Sequence, residues 1–332
     1  MIHDKGLYGY GAVGGGRCWS ATPLSNALPR AVNAQLAIFL VNFIFIACAC
    51  TLMAEIFVKK ADGRSVPLDY NKVRHALARA GASGSLANEI VDSLSSKVYQ
   101  NMPTSEIYSM AYRELSDMRP GAAARFGLRN ALLKLGPDGY AFETFMGSLL
   151  KGRGYETSLR QILRGKCVSH EIDVVATRGD YMGHPPTKCI VECKFHNSTH
   201  FECHIQTALY SYARFLDVRG GNPDIDSAWL ATNTKFSSDV IAYADCVGLK
   251  LVGWSFPKKE SLQVRIEENK LYPITLLPRL DRRAFSLLHE MGVITVKELL
   301  SAPPEELRKA KLGEKDIARL REDAKVVMSG KL

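Results

Sequence analysis

The stretch Cys189–Phe195 (CIVECKF) has the pattern of a strand that lies inside a sheet. Ile190 and Val191 are adjacent, so the strand is apolar on both of its faces at that point. Because side chains alternate along a strand, Glu192 and Lys194 are expected on one face together. The stretch predicts a buried strand that ends in charged groups.

A second strand is predicted upstream, at Ile172–Ala176 (IDVVA). Gly179-Asp180, Gly183 and Pro185-Pro186 separate the two strands, which is the chemistry of a hairpin-like connection. Alternation places Asp173 on one face of this strand, while Ile172 and Val174 are expected to point to the other. A polar residue is therefore predicted between apolar ones in the middle of a strand.

Pairing of the two strands would bring Asp173 and Glu192 together over one cation, with Lys194 beside them. Two carboxylates bind the hard cation Mg²⁺, or Mn²⁺, through oxygen and leave water on the metal. The metal makes a nucleophile of water and neutralises charge on a phosphate, and a lysine can orient that water or offset developing negative charge. The pattern D-x(n)-E-x-K predicts a minimal metal-assisted phosphodiesterase site, with Asp173 and Glu192 as the metal ligands.

Helices are predicted on either side of these strands. The helix that follows the turn at 137–139 carries an apolar stripe, and Glu143 stands at the border of the stripe, where a carboxylate can reach into a site. The helix at Ile205–Leu216 presents Gln206 and Tyr210 four residues apart on one side. The stripe consists of Phe142, Phe145, Met146, Leu149 and Leu150.

A β-α-β unit is predicted to close this segment, with strands at Ala228–Thr232 and Leu249–Trp254 around a helix at Ser238–Cys246. The predicted fold class is therefore α/β.

Residues 137–257 resemble the Mrr-like restriction endonucleases of the PD-(D/E)xK nuclease superfamily over about 120 residues. The resemblance implies a restriction-endonuclease-like α/β core and metal-dependent cleavage of DNA. It implies that the catalytic residues are Glu143 on the leading helix, Asp173 in I-D-V-V-A, and Glu192 and Lys194 in V-E-C-K. Gln206 and Tyr210 match the Q-x-x-x-Y of some members.

A zinc site is a rival interpretation of the same region. Two zinc-bound thiolates cannot lie more than about 4.6 Å apart, whereas Cys189 and Cys193 are separated by roughly 13 Å along a strand. These thiols are therefore expected in the core behind the active face. The residues that suggest zinc are Cys189, Cys193, His196, His200, Cys203 and His204, all within sixteen positions.

Residues 53–136 predict a small helical domain with a basic strand at its front, Ile56–Lys60. Asp69 is placed to cap the first helix and Gly81 to end it. The sequence G-x-x-x-x-G-K-[ST] does not occur in the chain, which excludes a P-loop. Three further helices are predicted, around Leu86–Val98, after Thr104 with Glu106 in its first turn, and at Ala122–Leu135.

The same domain resembles the ATP-cone, a regulatory nucleotide-binding module best known in ribonucleotide reductases. The resemblance rests on Val58–Gly63 (VKKADG), on Leu68–Val73 (LDYNKV) and on its continuation through Ala123–Gly127. It implies that ATP or dATP is a regulatory ligand, with Lys60 and Lys72 on the phosphates and Asp69 beside them. Ala61 stands where the family pattern has a second basic residue.

After a polar linker that begins at Pro257, residues 272–332 predict short helices separated by glycine and proline. Thr295 and Glu298 form a capping box, and Lys309, Lys311 and Lys315 surround a turn. This region resembles helix-hairpin-helix motifs, which hold DNA through phosphate contacts. The alternative is a helical domain for homo-oligomerisation or protein contact.

Residues 1–52 form a leader with an uncharged apolar run at 36–53. A membrane anchor, a signal peptide and a start placed too far upstream all fit this run, and the third, with Met53 as the initiator, is favoured because a strand begins within three residues of it. Membrane contact is expected only if residues 36–52 are expressed.

The composition sets limits on function. The 332 residues carry a net charge of +9 and are 46% hydrophobic, which excludes a disordered chain and suggests a polyanionic partner. Residues 137–256 alone are slightly acidic, with 12 Lys and Arg against 13 Asp and Glu. Eight dispersed cysteines favour a reducing cytoplasm.

The sequence predicts a nucleotide-regulated, Mg²⁺-dependent deoxyribonuclease whose partners are DNA and an adenine nucleotide. A non-catalytic regulator that binds DNA and senses nucleotide is the alternative.

Overall fold

The computed structural model describes residues 55–60, 62–136, 139–180 and 186–329. The expectations for the leader at 1–52, for Met53 and for Ala61 lie outside these ranges. Residues Ile56–Leu332 form one compact unit. Within the described ranges, none of the helices combines the length and the apolar character that crossing a bilayer requires.

A small three-stranded sheet opens the described chain. Strand β1 (Phe57–Lys59) pairs with β2 (Ser65–Pro67) in antiparallel and with β3 (Met102–Pro103) in parallel orientation. Helix α1 (Tyr70–Arg79) follows, and Asp69 caps it as predicted, because its side chain accepts a hydrogen bond from the Asn71 N–H. Gly81, at a left-handed φ of 95°, turns the chain after this helix.

Four more helices complete this part and enclose its own core. They are α2 (Gly84–Ser95), α3 (Thr104–Met118), α4 (Pro120–Phe126) and α5 (Leu128–Leu133). The prediction of one helix at Ala122–Leu135 is wrong: helix α4 ends at Gly127, whose N–H caps it, and α5 begins immediately afterwards. The largest fully buried side chains here are Leu77, Ile90, Leu94, Met102 and Leu115.

A mixed five-stranded sheet forms the centre of the molecule. Its strand order is β10-β8-β6-β5-β4, in which β10, β8 and β6 are parallel and β6, β5 and β4 are antiparallel to their neighbours. Helix α6 (Tyr140–Lys151) covers one face, while α7 (Ile205–Gly221) and α8 (Ser238–Val247) cover the other. The strands are β4 (Glu156–Arg164), β5 (Ser169–Arg178), β6 (Thr187–Lys194), β8 (Ser227–Thr232) and β10 (Lys250–Val252), and a separate pair joins β7 (Glu202–Cys203) to β9 (Lys235–Phe236).

This architecture confirms the α/β class and the predicted strands around Asp173 and Glu192. All five residues of the predicted stripe on α6 are at most 2% exposed. Strand β4 was not predicted, because it lies at the edge of the sheet and keeps most of its side chains in solvent, with Ile162 76% exposed.

The C-terminal helices share the core of α6. A polar linker after Pro257 was predicted, but α9 (Leu262–Asn269) forms there, because Leu262 and Ile266 bury one turn apart against that core. The capping box of Thr295 and Glu298 is present as predicted. A short 3₁₀ helix (Ile274–Leu276) then precedes α10 (Arg282–Glu290), α11 (Val296–Ser301), α12 (Pro304–Lys309) and α13 (Glu314–Ser329).

Candidate active site

The candidate site lies where the regular pairing of the central strands is interrupted. The ladder between β5 and β6 ends at Val174 opposite Val191. The ladder between β4 and β5 skips Arg160, which has a left-handed φ of 50°. Asp173 lies where both ladders are interrupted. Its side chain can therefore occupy the space between β5 and β6.

The interruption corrects one expectation about the strand faces. Ile172 and Val174 were expected on the same face, but Ile172 packs in the core beneath α7 and Val174 in the core beneath α6. The backbone around Asp173 therefore departs from strict alternation, which a pattern with a period of two cannot show.

Asp173 is fixed by the neighbouring strand. Its Oδ2 accepts a hydrogen bond from the backbone N–H of Cys193 at 2.6 Å, at the level where the ladder has ended. The carboxylate thus satisfies an N–H that would otherwise lack a strand partner, and it lies directly beside the backbone between Glu192 and Lys194.

Glu143 lies in the first turn of α6, at the border of the buried stripe as predicted. Its side chain is 12% exposed, and its Oε2 lies 3.3 Å from Nη1 of Arg160. Burial, followed by the charge of Asp173, raises the pKa of Glu143, while Arg160 opposes the rise.

Glu192 is held by a residue that the sequence analysis missed. Nη1 of Arg214 lies 2.5 Å from Oε2 of Glu192 and also donates to the carbonyl of Glu171, while Nη2 donates to the hydroxyl of Tyr210 at 2.7 Å. A signal was present in the sequence, because Gln206, Tyr210 and Arg214 repeat every four residues along α7.

Burial and neighbouring negative charges raise the pKa values of Glu192 and Asp173. Burial and the charge of Asp173 raise the pKa of Glu192 to about 7, against the opposing charges of Arg214 and Lys194. Burial also raises the pKa of Asp173, and the Cys193 N–H is the main opposing influence. Because the pKa values of Glu143, Asp173 and Glu192 are all raised, added positive charge beside any of these carboxylates is favourable.

The remaining predicted residues, Lys194 and Gln206, are exposed. Lys194, the last residue of β6, is exposed, and its charge acts on both Asp173 and Glu192. Gln206 is exposed one turn before Tyr210, and no hydrogen bond of the described residues joins it to the carboxylates.

The structure offers no support for the zinc hypothesis. Among the described residues, no group of three or more His, Cys, Asp or Glu side chains is arranged to hold a metal ion, and this applies to Glu143, Asp173 and Glu192 as well as to the thiols and imidazoles. Cys189 and Cys193 pack in or against the core beneath α6, as expected for core thiols. His196 Nε2 lies 3.5 Å from the Cys203 sulfur, and the two form no larger cluster within the described chain.

The predicted nucleotide contacts lie at the start of α1 and after β1. Lys72 is 82% exposed and lies 3.4 Å from Asp69, which is also the cap of α1. Lys60 is exposed at the end of β1, and no ion pair of the described residues joins it to Asp69. These two lysine side chains are accessible to a polyphosphate.

Comparison with known proteins identifies part of the chain. A family model for the ATP cone domain matches residues 56–130. An uncharacterized protein from Archaeoglobus fulgidus is 40% identical over 183 residues, which make up 55% of this chain and 99% of that protein. The crystal structure of AF1548, a protein of unknown function, matches with a TM-score of 0.51 at 39% identity and covers 58% of this chain and 99% of its own.

These similarities agree with the local structure. The ATP-cone match contains β1, α1 and the residues Lys60, Asp69 and Lys72. ATP-cone domains bind ATP or dATP as regulatory ligands, so the match indicates nucleotide sensing. Residues 56–130 are an ATP-cone domain, and the chain belongs to the same family as the Archaeoglobus fulgidus protein.

Proposed function

We propose that this protein is a nucleotide-regulated, metal-dependent DNA endonuclease with a restriction-endonuclease-like core. The observation that carries the proposal is the hydrogen bond from the Cys193 N–H to the Asp173 carboxylate at the interrupted ladder, which places Asp173 beside the backbone between Glu192 and Lys194. Carboxylates and a lysine around one point are the groups that phosphodiester hydrolysis requires.

The donor set fits a hard divalent cation. Asp173 and Glu192 offer carboxylate oxygens, and Mg²⁺ is commonly held by only one or two carboxylates together with water and substrate phosphate. A cation between these groups would offset the burial and the repulsion by Asp173 that together raise the pKa of Glu192 to about 7. Bound there, the metal would supply an activated water and neutralise charge on the phosphate.

The protein groups have distinct roles in this proposal. Asp173 and Glu192 hold the cation, while Glu143 lies beside them and is oriented by Arg160. Arg214 positions the Glu192 carboxylate through the short contact with its Oε2. The exposed Lys194 is free to approach a scissile phosphate and offset its developing negative charge.

In this proposal the ATP-cone regulates cleavage. A chain of contacts connects it to the helix that carries Glu143. Arg125 on α4 donates to the carbonyl of Ala80, after α1, and to the carbonyl of Val327 on α13. Helix α13 in turn packs on α11, whose Glu298 accepts a hydrogen bond from Ser148 on α6 at 2.6 Å. A change at α1 can therefore reach the helix that carries Glu143.

A non-catalytic regulator that binds DNA is the second candidate. The observation in its favour is the ion pair between Arg214 and Glu192, since it already neutralises one carboxylate without a metal. The same site would then be a fixed structural network rather than a reaction centre.

The deciding experiment incubates residues 53–332 with duplex, junction and single-stranded DNA in the presence of Mg²⁺ or Mn²⁺. Metal-dependent cleavage is expected, and Asp173→Ala and Glu192→Ala are each expected to abolish it while DNA binding persists. Cleavage that survives in either variant would overturn the site. DNA binding without cleavage of any substrate would favour the regulator.

A further inference from the structure

An exposed aromatic ring lies in the segment that follows the strand of Glu192 and Lys194. Phe201 stands between β6 and β7, and its side chain is 60% exposed. A single apolar side chain in solvent carries little information by itself, because such residues are scattered over most protein surfaces. Phe201 differs from these residues because its ring and its backbone are both held in place.

The ring of Phe201 stacks on the ring of His196. Their centroids lie 5.9 Å apart, and their planes are inclined by only 19°. This is the offset, nearly parallel arrangement that aromatic pairs prefer. Since Phe201 is 60% exposed while one side of its ring is against His196, the other side is open to solvent. We refer to these two rings as the Phe201 platform.

His196 is anchored to the central sheet. Its backbone N–H donates to the side-chain oxygen of Asn233 at 2.9 Å, and the Asn233 amide donates back to the His196 carbonyl at 2.8 Å. Asn233 is 2% exposed and directly follows Thr232, which pairs with Lys194. The lower ring of the platform is therefore fixed at the carboxyl ends of β6 and β8.

The chain on the other side of Phe201 is fixed as well. Phe201 directly precedes β7, whose Glu202 pairs with Lys235 on β9. The carbonyl of Cys203 accepts a hydrogen bond from the Ser237 N–H at 3.0 Å. An aromatic ring that is held open to solvent in one orientation loses little conformational entropy when a flat ligand stacks on it.

The platform lies close to the lysine that is proposed to approach the scissile phosphate. His196 is two residues after Lys194, so their Cα atoms are at most about 7 Å apart. Lys194 and His196 therefore lie within reach of the phosphate and the base of neighbouring nucleotides.

A second exposed ring is anchored to the site from α7. Tyr210 is 59% exposed, its ring lies 4.7 Å from the Arg214 guanidinium, and its hydroxyl accepts a hydrogen bond from Arg214. Proteins that bind single strands combine cationic groups with aromatic rings on which successive bases stack. In a continuous duplex the faces of the bases are already covered by their neighbours, so such rings favour unpaired bases.

We propose that the Phe201 platform stacks on an unpaired base beside the scissile phosphate, so that the substrate is single-stranded or locally unpaired DNA. The inference rests on the proposed nuclease function, because Lys194 is taken as the contact to that phosphate. Stacking is tolerant of sequence, since every base has a flat face. The platform therefore selects unpaired structure and not a base sequence.

Fluorescence anisotropy of the full chain tests the proposal, with a labelled oligothymidine and a duplex of the same length, in EDTA so that no DNA is cut. Phe201→Ala is expected to weaken binding of the single strand about tenfold, the effect of removing one base-stacking ring, and to leave duplex binding unchanged. Phe201→Trp should bind the single strand at least as well as the wild type. The control is Tyr99→Ala, which removes an aromatic ring that is 53% exposed in the ATP-cone and should change neither affinity.

The outcomes separate stacking from a general surface contact. Unchanged affinity of Phe201→Ala for the single strand would overturn the proposal, and so would equal losses for single strand and duplex. In Phe201→Trp, oligothymidine should quench the tryptophan emission more strongly than in the wild type, because the new indole contacts a base. Equal quenching in the two proteins would contradict stacking at this position.

A parallel cleavage assay with Mg²⁺ keeps this inference apart from the nuclease proposal. Single-strand binding that depends on Phe201, without cleavage of any DNA, would support the platform and contradict the nuclease. Cleavage of single strand and duplex at equal rates in both the wild type and Phe201→Ala would support the nuclease and overturn the platform. Absence of single-strand binding would overturn the platform whatever the cleavage assay shows.

Discussion

Arg214 on α7 and Glu192 on β6 are joined by a contact of 2.5 Å between Nη1 and Oε2, across the space between helix and sheet. The contact matters because burial and Asp173 both work against ionisation of Glu192, while Arg214 works for it. The guanidinium is itself anchored by the Glu171 carbonyl and the Tyr210 hydroxyl. Arg214 therefore holds the position of a proposed metal ligand and favours its charged form.

Replacement of Arg214 is expected to raise the Mg²⁺ concentration that cleavage requires. In Arg214→Ala, the Mg²⁺ concentration for half-maximal cleavage should rise about tenfold, which corresponds to one charge-assisted hydrogen bond of about 1.5 kcal/mol. Arg214→Lys should recover part of the loss. The measurement is the rate of cleavage against Mg²⁺ concentration.

The matched control is Arg219→Ala, on the same helix, where the guanidinium lies 5.0 Å from the Phe215 ring and outside the cluster. If Arg214→Ala instead needs less Mg²⁺ than the wild type, the arginine competes with the metal and the positioning role is wrong.

The strands that carry Asp173 and Glu192 could be predicted from the sequence, but the interruption of their pairing could not. Asp173 and Glu192 could be placed because charged residues inside apolar strands stand out against alternation. The interruption of both ladders at Asp173 could not be predicted, since it depends on the left-handed backbone of Arg160 in an edge strand that has little apolar pattern. Arg214 was missed because an arginine on an exposed helix looks like a solvated side chain until its partner strand is known.

Lys194 should act on the reaction rather than on metal binding. Lys194→Ala is expected to lower kcat by about 10²–10³, in the range seen when one group that stabilises transition-state charge is removed. The Mg²⁺ concentration for half-maximal cleavage should change little, because the exposed ammonium is a proposed neighbour of the phosphate and not a metal ligand. Equal losses in Lys194→Ala and in the control Lys188→Ala, a half-buried lysine of the same strand whose ion pair is with Asp224, would argue against a catalytic role.

Asp217 should stabilise the fold in a pH-dependent way. Its carboxylate accepts hydrogen bonds from the N–H groups of Cys167 and Val168 and contacts His170 at 2.8 Å, and the His170 contact is the main cause of its lowered pKa. A lowered pKa means that this stabilisation is fully present above the ordinary carboxyl range, near pH 4, and declines as the pH falls below it.

Thermal unfolding of Asp217→Asn measures this effect. The variant should melt below the wild type at pH 7, and the difference should shrink toward pH 3. Asp92→Asn, an exposed aspartate on α2, serves as the control. A difference that is constant with pH would mean that the carboxylate charge is not the cause.

Arg125 should couple the ATP-cone to the rest of the chain. Its buried guanidinium is bonded to the carbonyls of Ala80 and Val327. Arg125→Met leaves both carbonyls without this donor, so the free energy of unfolding should fall by about 2–4 kcal/mol. Nucleotide binding should survive, but ATP should no longer change hydrogen exchange in α13.

The control for that variant is Arg113→Met, an exposed arginine on α3. Transmission of the ATP effect to α13 in folded Arg125→Met would show that coupling follows another path, such as the connection from α5 to α6.

Replacement of the C-terminal lysines tests whether these helices bind DNA. Deletion of residues 258–332 is unsuitable, because Leu320, Ala324 and Val327 belong to the same core as α6. Lys309, Lys311 and Lys315 are exposed, so their combined replacement by Gln removes charge without disturbing packing. If each lysine contacts a phosphate, the slope of log affinity against log salt should become less steep by about 0.9 per lysine. The same replacement at Lys235 and Lys325, which are also exposed, should leave the slope near the wild-type value, and an unchanged slope in the triple variant would assign the C-terminal helices to protein packing alone.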